Sequence, residues 1–202
     1  MANNVYYNIN FDLDAGQTEI LKKTMAVVET EEGEMKWKNW TAEELPIYPV
    51  PYNDKDWYGW GCEQMGAKWV LIEDYSDNNL SGHSAWSPPN PMFQHLGQYI
   101  CDLVGNDVEG TMTYEDEFRN YIGKTTLYTD DNQVIIDVNE IDGEDLHAIV
   151  QEAFGFADDF EIEWWDMYKV KKGTYAGEEW EPQQYIDELV YEFFDSERLE
   201  VL

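Results

Sequence analysis

An α+β fold follows from three observations on the 202-residue chain. Residues Val5 to Asp12 alternate apolar and polar, two later segments place apolar residues at helical spacing, and turn residues separate strand-like runs. In chain order these give strand, helix, strand, strand, helix, strand. That is the split βαβ, or ferredoxin-like, pattern.

Each element has its own warrant. Val5, Tyr7, Ile9 and Phe11 share one face of the first strand, and Tyr6, Asn8, Asn10 and Asp12 the other, so one face is buried. Ile20, Leu21, Thr24, Met25 and Val28 then follow helical spacing. Glu29 to Asp56 is acidic, contains prolines and lacks a period. It is expected to be a surface excursion with one short helix near Thr41 to Leu45. Lys68 to Glu73 and Ser81 to Trp86 read as strands joined by the turn residues Asp77 to Asn79. Asn90 is placed to cap a helix starting at Pro91, with Phe93, Leu96, Ile100 and Leu103 as its stripe and Gly105 as its left-handed stop. Val108 to Tyr114 completes the pattern.

Further elements follow. Tyr121 to Tyr128 and Gln133 to Asn139 flank "TDDN", which predicts a hairpin. Asp142 is expected to cap a helix with Leu146, Ile149, Val150 and Phe154 inward and Gly155 as its stop. Phe160 to Val170 reads as extended. Pro182 opens a last helix with Tyr185, Ile186, Leu189, Val190 and Phe193 inward. The expected organisation is a ferredoxin-like domain over 1–127 and an acidic extension over 128–202 packed on the same core.

Three short stretches carry a resemblance. They are "GAKWV" with Gly66, Lys68 and Trp69; "AWSPP" with Trp86, Ser87, Pro88 and Pro89; and "YEDEFRNYIGK" with Tyr114, Glu115, Glu117, Tyr121 and Gly123. Together they resemble the YubB-like ferredoxin-like domain family of phage and plasmid proteins, over Val5 to Leu127. The Asn-Trp-Gly usual before the Lys-Trp is replaced here by Glu63-Gln64-Met65-Gly66. The resemblance implies a mobile-element origin and no established reaction. Trp69 and Trp86 are expected to pack between sheet and helix with their indole N–H groups tied to backbone. Pro88, Pro89 and Pro91 would fix the path of the chain into the second helix.

Catalytic chemistry finds little footing. His83, His95 and His147 fit no ligand spacing. "DVNEIDGED" at Asp137 to Asp145 resembles a calcium loop, but Ile141 holds the fifth position, Asp142 the sixth, and Gly143 comes one late. A strand followed by a helix cap accounts for it better. There is no phosphate loop, no nucleophile elbow and no Cys-x-x-Cys. Only Arg119 and Arg198 offer a guanidinium. The expectation is a protein that is not an enzyme, with no catalytic residue, metal or cofactor. The first residues lack a basic start and an apolar run, so a signal peptide is not expected. Cys62 and Cys101, read as two half-buried thiols, suit a reduced, cytoplasmic setting, that of the host cell.

Charge is the strongest signal. The chain carries 43 acidic and 12 basic side chains, a net charge of -31. Anionic lipid and nucleic acid would repel it, so neither a membrane nor direct nucleic-acid binding is expected. Residues 102–202 hold 28 acidic and 6 basic side chains, and residues 1–101 hold 15 and 6. Averaged over a surface of about 9,800 Å², the net charge is about threefold more dilute than on B-DNA. Imitating nucleic acid therefore requires local rows of charge. Asp159, Glu161 and Glu163 alternate along one face of "DDFEIEWW", about 6.6 Å apart. Glu188, Glu192 and Asp195, with Asp187 beside them, line the polar face of the last helix; Glu178, Glu179 and Glu181 precede it. Trp164 and Trp165 adjoin the row, and Trp165, on the outward parity, is the candidate anchor of a contact. The expected partner is a basic, nucleic-acid-binding host protein, with a second copy of the chain as a further partner. The expected function is a DNA-mimic inhibitor of a host defence or DNA-handling protein. Two alternatives are weighed beside it: a structural or regulatory phage protein whose acidity serves solubility, and a small metal-dependent hydrolase.

Overall fold

The computed structural model describes residues 3–25, 28–29, 35–36, 42–105, 107–146, 148, 173–175, 178–180, 187 and 191. The strands are β1 (Asn4–Asp12), β2 (Val28–Glu29), β3 (Met35–Lys36), β4 (Val70–Ser76), β5 (Asn79–Ala85), β6 (Glu109–Asp116), β7 (Tyr121–Asp130), β8 (Gln133–Asp142), β9 (Gly173–Tyr175) and β10 (Glu178–Trp180). The helices are α1 (Ala15–Thr24), α2 (Trp57–Trp60) and α3 (Asn90–Val104). The fold is α+β, built on a six-stranded antiparallel sheet in the order β4-β5-β1-β6-β7-β8. β2 with β3 and β9 with β10 form two small separate pairs. Contacts divide the chain into two units, Met1–Glu117 with Lys124–Val138, and Phe118–Gly123 with Asn139–Leu202.

In the first unit β1 is central, antiparallel to β5 on one side and to β6 on the other. Its alternation is real: Val5, Tyr7, Ile9 and Phe11 are buried, while Tyr6, Asn8, Asn10 and Asp12 are exposed. The buried face meets the helices, with the rings of Phe11 and Phe93 5.3 Å apart. Leu80, Met112 and Tyr114 extend this core along the neighbouring strands, and Leu96 and Ile100 supply it from α3. The register Tyr6↔His83 and Tyr6↔Glu115 continues the other face as a polar surface.

Local chemistry sets the ends of the elements. α1 starts with a capping box: Asp14 Oδ1 accepts from the Gly16 and Gln17 N–H groups at 2.7 and 2.9 Å, and Gln17 Oε1 accepts from Asp14 N–H at 2.9 Å. α3 ends at Gly105 in the left-handed region, φ 71°. The β7–β8 turn puts Asp131 and Asn132 at φ 48° and 63°, the two positive values of a type I′ hairpin. Gln98 of α3 holds this hairpin, accepting from Val134 N–H at 2.8 Å and donating to the Asn132 carbonyl at 3.1 Å.

Several expectations are corrected. Asn90 does not cap α3; its Oδ1 accepts from the Thr125 hydroxyl at 2.6 Å, and Pro89 stands at the N-cap. Leu103 is 54 % exposed, and Met92, Gly97 and Cys101 complete the buried face instead. Val28 lies in β2, past the end of α1. Thr41 to Leu45 does contain a 3-10 turn, Ala42–Glu44, but Ala42, Leu45 and Ile47 are buried, so that part of the excursion belongs to the core. The strand expected before the Asp142 cap, in place of a calcium loop, is present: Asp137 to Asp142 is part of β8. Cys62 is exposed and Cys101 buried, rather than both half-buried.

In the second unit, Ile122 and Leu146 are buried. Asp142 caps a helical turn over 143–146, accepting from Asp145 N–H at 2.9 Å. Gly143 donates to the Asn120 carbonyl at 2.7 Å, and a side chain there would meet the Arg119 carbonyl at 2.8 Å.

Candidate functional site

Two kinds of surface come forward, one acidic and one aromatic. Of the acidic residues singled out in the second half, Asp187 is exposed and accepts from the Arg119 guanidinium at 2.7 Å. Its charge is therefore shared within its own unit. Glu178 and Glu179 belong to β10, registered opposite Tyr175 and Thr174 of β9. Asp159, Glu161, Glu163, Trp165, Glu181, Glu188, Glu192 and Asp195 lie outside the described residues, as do His147 and the core positions expected beyond residue 148.

The sequence reading missed a further run of acid. Asp130, Asp131, Asp137, Glu140, Asp142, Glu144 and Asp145 are all exposed, and no Lys or Arg falls between 130 and 145. Each has a structural reading by itself, as turn, strand or cap, and that concealed the run. A second acidic feature lies on the polar face of the first unit. There Asp12 and Glu109 are registered opposite each other on β1 and β6. They border a hollow of about 560 Å³ with Asn10, Thr111, Thr126 and Tyr128. None of its lining residues is basic. Like charges placed across a strand pair repel, so this end of the sheet favours a positive neighbour.

The aromatic surface lies where the two tryptophan-bearing motifs meet. After α2 the chain forms a π turn, Gly61–Met65, closed by Gly66 at φ 88°. A Cβ on Gly66 would stand 2.4 Å from Pro91 Cδ and 3.1 Å from the Pro88 carbonyl, so the glycine lets the two motifs touch. Ser87 Oγ donates to the Gly66 carbonyl at 2.6 Å, and Ser84 Oγ donates to the Ser87 carbonyl at 2.7 Å. These contacts join the Gly66 turn to the AWSPP stretch, a meeting that the sequence did not indicate.

The tryptophans behave otherwise than expected. Trp86 is 58 % exposed and sits at φ 74°. Trp69 is half-buried, and the Lys68 ammonium lies 4.7 Å from its ring centre. The same ammonium lies 5.5 Å from the ring of Trp57, itself 44 % exposed. The core tryptophan of the region is Trp60, whose Nε1–H donates to the Val50 carbonyl at 2.9 Å and whose ring meets Tyr48 and Tyr52 edge-on.

Titratable groups near these surfaces are mostly structural. Burial pushes the Tyr48 phenol above its ordinary value and pulls the half-buried His95 imidazole, 5.8 Å from the Tyr48 ring, below its own. His83 Nδ1 is 3.1 Å from Glu73 Oε1 on the polar face of the sheet. Among the described residues no group of three His, Cys, Asp or Glu side chains is placed to hold a metal ion. Among them, too, no helix is long and apolar enough to cross a membrane. No family model matches the chain, and neither a curated protein nor a solved structure matches it.

Proposed function

We propose that this protein is a non-enzymatic acidic binding protein that occupies the nucleic-acid-binding surface of a basic host protein, and so inhibits a defence or DNA-handling system. The observation that carries the reading is the concentration of charge in residues 102–202, 28 acidic side chains against 6 basic. The exposed carboxylates from Asp130 to Asp145 support it, because they stand without an intervening Lys or Arg. Such a run costs stability through self-repulsion, which a partner of opposite charge would offset.

The finer fold assignment is proposed with it. The order β4-β5-β1-β6, with α1 after β1 and α3 after β5, is what a ferredoxin-like split βαβ core would have. β7 and β8 then extend the sheet as an added hairpin. The joint between Gly66, Ser87 and Pro88 supports kinship with the YubB-like family, and through it a phage or plasmid origin and action in the host cytoplasm.

Capture from a bacterial lysate on the immobilised protein tests the function. Basic, nucleic-acid-binding proteins should be retained at low salt, released at high salt, and displaced by duplex DNA. A retained protein that binds DNA and this chain together, without interference, would leave acidity as a solubility device.

A further inference from the structure

We infer that the hollow at the Asp12–Glu109 end of the sheet is a binding site for a guanidinium group, carried on an arginine side chain of the basic partner. This rests on the reading of the protein as a binder of basic surfaces.

Three neighbouring strands of the first unit build the site. Asn10 is registered opposite Thr111, and Asp12 opposite Glu109, on β1 and β6. Thr126 and Tyr128 come from β7, the next strand in the sheet. Phe11 and Leu127, which alternate with them, are buried, so these six side chains share the polar face. They bound about 560 Å³, a volume within the usual range for a ligand site. Among the described residues no hydrogen bond or ion pair engages any of the six side chains. β1 and β6 contain no Lys or Arg. Two carboxylates in register therefore repel across the strand pair with no cation on either strand to answer them. That arrangement costs folding stability, and a bound cation offsets the cost.

The chemistry of the lining selects the cation. A phosphate or carboxylate would meet two like charges on a chain of net charge -31, and a neutral polyol would leave the pair uncompensated. A hard metal ion needs more oxygen ligands than two carboxylates supply, and among the described residues no group of three acidic, His or Cys side chains is placed to hold one. An organic cation remains. Guanidinium suits the hollow better than ammonium. Its five N–H donors lie in one plane and can reach Asp12 and Glu109 together with the hydroxyl and amide oxygens of the neighbouring row. Its flat face also stacks on an aromatic ring, here that of the exposed Tyr128. A basic protein surface offers this group on a side chain long enough to enter a hollow in an open sheet face.

The test uses the full chain and two probes of equal charge, a hexa-arginine and a hexa-lysine peptide, with binding measured by calorimetry at low salt. Hexa-arginine should bind about fivefold more tightly than hexa-lysine. Asp12→Asn with Glu109→Gln removes two exposed, mutually repelling charges. This double variant should melt at or above wild type and bind hexa-arginine about tenfold more weakly. Glu44→Gln with Glu63→Gln removes the same charge from exposed positions elsewhere in the first unit and should weaken it only about twofold. Tyr128→Thr should reduce the preference for arginine over lysine. Glu109→Gln alone, about threefold weaker, gives the answer if the double variant fails to fold. A hollow variant that loses no more affinity than the control pair overturns the site and leaves the acidic reading intact. Failure of both peptides to bind at low salt overturns both. Ethylguanidinium that binds as tightly as hexa-arginine, with the same dependence on Asp12 and Glu109, would assign the hollow to a small free cation and overturn the partner's arginine as its occupant.

Discussion

Among the described residues tryptophan occurs in two opposite settings, buried and exposed, and single substitutions separate them. Trp60 is buried and bonded through its indole N–H, so Trp60→Ala should cost about 3–5 kcal/mol in thermal or urea unfolding. Trp86 is 58 % exposed, so less burial is lost when it is removed. Its left-handed backbone costs roughly 1–2 kcal/mol, and a glycine there gives back roughly 0.5–1 kcal/mol in chain entropy. Trp86→Gly should therefore unfold within about 1 kcal/mol of wild type or slightly above it. A loss as large as that of Trp60→Ala would show that the exposed indole supports the fold. The sequence misleads at this residue for a definite reason. Leu80, Gly82 and Ser84 alternate inward along β5, and the same parity would bury Trp86. The backbone leaves the strand at φ 74°, and a conformation usually reserved for glycine cannot be read from a tryptophan. Gly66 is the converse case. Its left-handed backbone and its contact with Pro91 make Gly66→Ala destabilising by about 1–3 kcal/mol, measurable by the same melts.

Elements whose signal is local were legible. The alternation of β1, the Gly105 stop of α3 and the TDDN turn at Asp131–Asn132 each depend on a few adjacent residues. Elements set by tertiary contact were not. The π turn Gly61–Met65 closes against the AWSPP stretch, and nothing within its own residues announces that partner. Likewise Ala42, Leu45 and Ile47 carry no period, yet they are buried. Of the acidic candidate residues, Glu178 and Glu179 stand in β10, and Asp187 pairs with Arg119. The chain alone offers no way to choose that guanidinium among its acids. One element-scale consequence concerns α3, where His95 packs on Tyr48 and burial lowers its pKa. A base whose folded pKa lies below its unfolded value of about 6.5 binds its proton less readily when folded. Its contribution is present above the unfolded pKa and is lost as pH falls toward the folded one. Wild type should therefore lose stability relative to His95→Gln between about pH 7.5 and 5.5. The comparison must be made as a difference, since carboxylate protonation acts on both proteins alike. A difference that stays constant over that window would show that His95 keeps its ordinary pKa.

At the scale of the whole molecule the governing quantity is the net charge of -31. Self-repulsion of that size is screened by salt, so the melting temperature should rise as sodium chloride increases from about 0.02 to 0.3 M. Binding to a basic partner should move the opposite way, weakening over the same range. A protein whose acidity served only solubility would show the first trend without the second. The acidic row Asp159, Glu161 and Glu163 separates these cases most directly. Replacing all three by Asn, Gln and Gln keeps shape and removes charge. The measurement is the affinity of that variant, beside wild type, for a host protein captured at low salt and displaced by duplex DNA. The triple variant should melt as wild type does or slightly higher and bind at least about tenfold more weakly. Unchanged affinity in a normally folded variant would contradict the assignment of this row to the contact.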